Sequence, residues 1–124
     1  EFDGRTVLVI DNEADAALLL QQMIAEHGAR GLVSHSGAEG LRLARTEQPD
    51  LVTTDLMMPK MTGWDVVRTM QADPELRRIP TVVVSVLARE RGGTVVGAAD
   101  LLDKPVDRGE LLMVLRRHLP GVRA

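Results

Sequence analysis

Apolar and polar positions along the chain follow two different periods. Thr6-Val7-Leu8-Val9-Ile10 is a continuous apolar run rich in β-branched residues. That is the pattern of a strand buried on both faces. It stops at Asp11-Asn12. From residue 13 to 27 the apolar positions return at helical spacing (Ala17, Leu20, Met23, Ile24), and Gly28 is placed to end the helix. A short strand follows at 31–34. Ser36 can cap a second helix carrying Leu41, Leu43 and Ala44, which must end before Pro49. Residues 51–54 read as a third strand and 63–71 as a third helix, with Val66, Val67 and Met70 inward. After the connecting loop "ADPELRRIP", residues 81–85 form the clearest strand of all. The stretch 87–96 is weak, because Gly92-Gly93 disfavours a long helix there. Leu101-Leu102 is a short fifth strand. Asp107 opens a last helix, with Glu110 three residues on as a capping box and Leu111, Leu112, Val114 and Leu115 as its apolar stripe; Pro120 lies just beyond.

Strand and helix thus alternate five times. Fully apolar strands alternating with amphipathic helices predict a parallel sheet covered on both faces, and right-handed crossovers leave few topologies. In such a sheet ligands sit outside the carboxyl ends of the strands, at the switch point.

Composition narrows the classes. The chain has 124 residues, enough for one domain over 1–124 and one real core. Glu1-Phe2 is read as a candidate cloning scar, and the domain as a piece excised from a longer protein. A net charge of −3 leaves no basic footprint for nucleic acid, and no apolar run approaches the ~20 residues of a membrane span. No signal peptide is expected. The absence of cysteine removes disulfides and thiolate metal sites and fits a reducing compartment, so a cytoplasmic location is expected.

The polar residues at the expected strand ends carry the chemistry. The first strand delivers Asp11 and Asn12, the third Asp55, the fourth Ser85 and the fifth Lys104, which Pro105 follows. An aspartate at a strand end is often only a turn former. Five such residues, far apart in sequence and brought to one edge of a sheet, are harder to explain that way. Clustered carboxylates suit a hard divalent cation such as Mg²⁺, which needs few protein oxygens and keeps several waters. A carboxylate can be a nucleophile towards phosphorus. An ammonium and a small hydroxyl can then hold phosphoryl oxygens. The set supports phosphoryl transfer by position and charge, with Asp55 attacking, the metal and Lys104 neutralising charge and Ser85 binding one oxygen. Lys104 is one of two lysines against thirteen arginines, and a retained lysine suits a compact point charge. Lys60, the other, reads as solvated.

Other residues read as structural. His27, His35 and His118 lack metal-ligand spacing and are expected at the surface. The methionines at 23, 57, 58, 61, 70 and 113 read as fillers of core and loop gaps, and Trp64 as a packing residue.

The segments "VLVIDNE", "PDLVTTDLMMPKMTG", "IPTVVVSV" and "GAADLLDKPVD", in this order and spanning essentially the whole chain, resemble the receiver (response-regulator) domain of two-component signalling. The resemblance implies a flavodoxin-like (βα)5 fold with a five-stranded parallel sheet of order 2-1-3-4-5. It implies Asp55 as the phosphoacceptor, Asp11 as the first acid of the metal pair, and the Met57 carbonyl as a backbone metal ligand. Ser85 matches the switch hydroxyl, Lys104 the active-site lysine, and Pro105 a proline usually held by a cis peptide bond. Mg²⁺, with Mn²⁺ able to substitute, is the implied cofactor. A histidine kinase or histidine phosphotransfer protein is the implied donor. The effector is undefined, and a homodimer is open.

The sequence also departs from the pattern. Asn12 stands where a second acid is usual; its carbonyl can still meet a metal, but with one negative charge fewer, so weaker binding is expected. Glu13 can compensate, although its place suits it to the dipole of the first helix. Leu101 and Val106 replace common aromatics. The segment from Ser85 to Gly97 is about one turn short, so the helix between the fourth and fifth strands is expected to be short or irregular. The surface there is rebuilt, which suits another output surface or a relay, as in receivers attached to hybrid histidine kinases. Met57, Val86 and Leu87 cannot orient water and should shield the site, so slow autodephosphorylation is expected. Two other classes remain. One is a degenerate receiver acting as a phosphate-independent binding or dimerisation module. The other is a metal phosphatase, which Met57 disfavours by standing where such an enzyme needs a second acid.

Overall fold

A computed structural model describes residues 1–86 and 97–119. Its elements follow the hydrophobic pattern: β1 (Thr6–Ile10), α1 (Ala14–Ala25), β2 (Arg30–Ser34), α2 (Gly37–Glu47), β3 (Leu51–Thr54), α3 (Gly63–Ala72), β4 (Thr81–Ser85), β5 (Asp100–Asp103) and α4 (Arg108–His118). The short or irregular helix expected over 87–96, Leu87 and Pro120 lie outside the described residues. All five strands pair in parallel in the order β2-β1-β3-β4-β5. Each strand end therefore points the same way. Ile10 pairs with both Ser34 and Thr54, Thr54 with Val83, and Ser85 with Asp103. The residues that follow, Asp11, Asp55 and Lys104, leave the sheet at one edge.

Side-chain alternation sorts the core into two layers. On one face Val7, Val9 and Val84 pack with Leu20 and Ile24 of α1 and Leu115 of α4. On the other, Leu8, Ile10 and Val52 pack with Leu41 of α2 and Val66 and Met70 of α3. Phe2 is 1% exposed and belongs to the first layer of the core.

Helix ends follow local chemistry. Ser36 caps α2 by accepting from the Glu39 N–H at 3.2 Å. Asp107 caps α4 through the Glu110 N–H at 2.9 Å, but the return bond of the expected capping box does not form. The complete box is at α3, where Thr62 and Asp65 exchange both bonds; Asp65 is too short to fit the usual Glu/Gln signature. After α1, Gly28 takes the left-handed conformation (φ +88°) and its N–H reaches the Ala25 carbonyl at 3.0 Å.

The basic last turn of α4 anchors to β5. Asp100 accepts from Arg117 at 2.7 Å, contacts His118 Nε2 at 3.2 Å and accepts from the Leu101 N–H at 3.0 Å. Burial alone would raise the Asp100 carboxyl; the Leu101 N–H, Arg117 and His118 outweigh it and hold the group below its ordinary value. A depressed carboxylate stabilises the fold above its unfolded-state pKa and loses that contribution as pH falls through the folded value. Asp100→Asn is therefore expected to cost about 1 kcal/mol or less at neutral pH, since the pair is partly solvated. Thermal melts should show the gap from the parent closing in acid.

One buried hydroxyl is orphaned. Thr53 Oγ1 has no hydrogen-bond partner among the described residues, and Thr53 sits in register between Val9 and Val82. Thr53→Val keeps the shape and removes the desolvated hydroxyl, so a gain of about 1 kcal/mol is expected in urea unfolding.

Candidate functional site

The carboxyl edge of the sheet converges on one ammonium. Lys104 Nζ lies 2.6 Å from Asp11 Oδ2 and 3.2 Å from Asp55 Oδ2, with Glu13 Oε1 at 3.8 Å. Backbone bonds place the three partners. The Asp11 N–H donates to the Ser34 carbonyl, that of Asp55 to Ile10, and that of Lys104 to Ser85, each at 3.0 Å. The side chains thus start from the ends of β1, β3 and β5. Asp11 and Asp55 are each 5% exposed. The Lys104–Pro105 peptide bond is cis, as the resemblance implies.

Electrostatics favour the charged lysine. Burial pulls its pKa down, but the hydrogen bond to Asp11 and the charges of Asp11 and Asp55 outweigh that, and the group rests above its ordinary value. One ammonium against three carboxylates leaves the cluster with two net negative charges. One oxygen from each of Asp11, Glu13 and Asp55 lies within 4.8 Å of the others, close enough for the three to share a hard cation.

The remaining expected residues divide. Ser85 is buried at the end of β4. Met57 sends its N–H to Asp55 Oδ1 at 3.4 Å, which places its backbone beside that carboxylate. Met57 is 54% exposed and Val86 58%. Asn12 is exposed. Glu13, expected to serve the helix dipole, makes no cap bond and lies in the cluster instead.

Two histidines make contacts that residue spacing does not signal. His35 is exposed, but its Nδ1 lies 3.1 Å from the Asp11 carbonyl, at the site's margin. No spacing in the sequence signals that contact, because β2 and β1 become neighbours only in the sheet. His118 is half-buried against Asp100, not free at the surface. Met113 is exposed, as is Met57, whereas Met23, Met58 and Met70 fill the core as expected. Trp64 and Leu101 pack against Leu56, Val67 and Val83, and Lys60 is exposed.

The family model of the response regulator receiver domain matches residues 7–116. This chain belongs to that family. The receiver is 34% identical to protein PilH of Pseudomonas aeruginosa over 118 residues, which covers 93% of this chain and 98% of PilH. It is 36% identical to the response regulator PleD of Caulobacter vibrioides over 110 residues, 86% of this chain but 24% of PleD. Among solved structures it superposes on a sensor protein from Polaromonas with a TM-score of 0.86 at 28% identity, covering 93% of this chain and 95% of that one. It also superposes on the receiver domain of a sensor histidine kinase from Pseudomonas aeruginosa, solved with magnesium coordinated in its active-site cleft. The TM-score there is 0.85 at 24% identity, over 93% and 97% of the two chains, a likeness of fold. The receiver is thus a two-component signalling domain with an acidic pocket of Asp11, Glu13 and Asp55. Receivers are signalling domains, generally not classed as enzymes. Among the described residues no helix is long and apolar enough to cross a membrane.

Proposed function

We propose that this receiver accepts a phosphoryl group on Asp55 from the phosphohistidine of a histidine kinase or histidine phosphotransfer protein, and changes its partners as a result. The observation that carries this reading is the Lys104 ammonium held between Asp11 and Asp55 at the end of the sheet. In the transfer an Asp55 carboxylate oxygen bonds to phosphorus as the phosphorus–nitrogen bond to the donor histidine breaks. The imidazole leaves with that electron pair. Lys104 is already charged and within reach of the acceptor, so it can follow the growing negative charge on the phosphoryl oxygens. Ser85, buried one strand away, supplies a hydroxyl for one of those oxygens.

The cluster fits a divalent cation, because its donors are hard oxygens and its net charge is minus two. Asp11, Asp55, the Asn12 side chain and the Met57 carbonyl would hold Mg²⁺, with Mn²⁺ as a substitute. When bound, the ion neutralises the carboxylates and the incoming phosphoryl group. Asp11 keeps Lys104 charged and in place, and the Met57 N–H fixes one oxygen of Asp55.

A cytoplasmic setting and a parent of the hybrid histidine kinase kind belong to the same proposal. The segment "GAADLLDKPVDR" supports the latter, as does the likeness to a receiver domain of a histidine kinase from Syntrophus aciditrophicus at 28% identity. The test is intact mass after incubation with Mg²⁺ and acetyl phosphate. A gain of one phosphoryl group supports the reading. A folded protein with no gain, and no Mg²⁺-dependent beryllofluoride binding, favours a phosphate-independent module.

A further inference from the structure

Asn12 leaves the β1–α1 turn one carboxylate short of the two acids usual in the receivers it resembles, yet the cluster around Lys104 still holds three carboxylates. The third is Glu13. Its Oε1 stands 3.8 Å from Lys104 Nζ, and its oxygen lies within 4.8 Å of oxygens of Asp11 and Asp55. Glu13 also occupies the N-cap of α1 without capping it. Ser36, Thr62 and Asp107, at the same position of α2, α3 and α4, each accept a backbone N–H of their own helix. The Glu13 carboxylate is therefore turned to the cluster and not to the helix. Its own N–H donates to Asp11 Oδ1 at 2.9 Å, so the turn that carries Glu13 also fixes Asp11.

We propose that Glu13 supplies the charge that Asn12 lacks, so that the divalent-cation site of this receiver draws its second β1–α1 carboxylate from one residue further along the chain. The inference rests on the reading of the cluster as a cation site. It deepens that reading by placing the second carboxylate on a longer side chain, 68% exposed. A long exposed carboxylate is less pre-organised than a short buried one, and cation affinity follows both charge count and site rigidity. Glu13 should therefore restore charge with less rigidity than an aspartate at position 12.

The experiment is calorimetric titration of Mg²⁺ into the parent, Glu13→Gln, Asn12→Asp and the double variant, with thermal melts in chelator. Glu13→Gln is expected to weaken Mg²⁺ binding about tenfold, and Asn12→Asp to restore it in the Glu13→Gln background. Melts without metal should agree within about 2 °C, because the substituted side chains are exposed. Parent-like affinity in Glu13→Gln overturns the inference while leaving the cation site standing. So does a double variant as weak as Glu13→Gln, since the two positions would not then carry the same charge. A parent that binds no Mg²⁺ overturns the cation site itself, and this inference with it.

Discussion

Asp55→Asn is expected to lose phosphoryl acceptance completely while keeping the fold. The amide has the shape of the carboxylate but no anionic oxygen to bond to phosphorus, so no partial activity should survive at this position. The fold should hold because the cluster keeps a strong pair. Lys104 remains 2.6 Å from Asp11, and removing the Asp55 charge also removes its repulsion with Asp11. Intact mass with acetyl phosphate and Mg²⁺ should show one added phosphoryl group in the parent and none in the variant. Thermal melts should confirm that both are folded. A phosphorylated Asp55→Asn protein would assign the acceptor elsewhere and sink the reading of this site.

Gly63→Ala should show the largest structural penalty. A Cβ at position 63 would stand 2.2 Å from the Asp55 carbonyl oxygen, 2.7 Å from Leu56 Cα and 2.9 Å from the Asp55 carbonyl carbon. All three are backbone atoms, so no side chain can swing aside. The Gly63 N–H donates to the Leu56 carbonyl at 2.9 Å, which pins the start of α3 against the acceptor segment. Adding one methyl forces the helix and that segment apart, at a cost of about 3 kcal/mol. Because Asp55 is the residue displaced, acceptance should fall along with stability. Urea unfolding reads the first effect, and the rate of mass gain in conditions where the variant is still folded reads the second. A variant as stable as the parent would mean that the close approach is relieved without cost.

The central strands β1, β3 and β4 were legible because burial on both faces writes short apolar runs rich in β-branched residues, bounded by turn signals. The convergence of Asp11, Asp55 and Lys104 was legible for a related reason, since each lies just past the carboxyl end of a strand. Glu13 was harder. An acid at a helix start has an ordinary electrostatic role, and only the distance to Lys104 shows that it has another. The contacts of His35 with β1 and of His118 with Asp100 depend on sheet order, which residue spacing does not encode.

Phe2 bears on where this domain can be cut. Its ring is buried with α1 and α4, its N–H is bonded to the His27 carbonyl at 2.9 Å, and Glu1 pairs with Arg116. The family match begins only at residue 7. A fragment trimmed to that boundary for expression or for grafting into another signalling protein would leave an aromatic-sized hole under two helices. The graft should therefore carry residues 1–6 with it, and a fused partner should join ahead of Glu1.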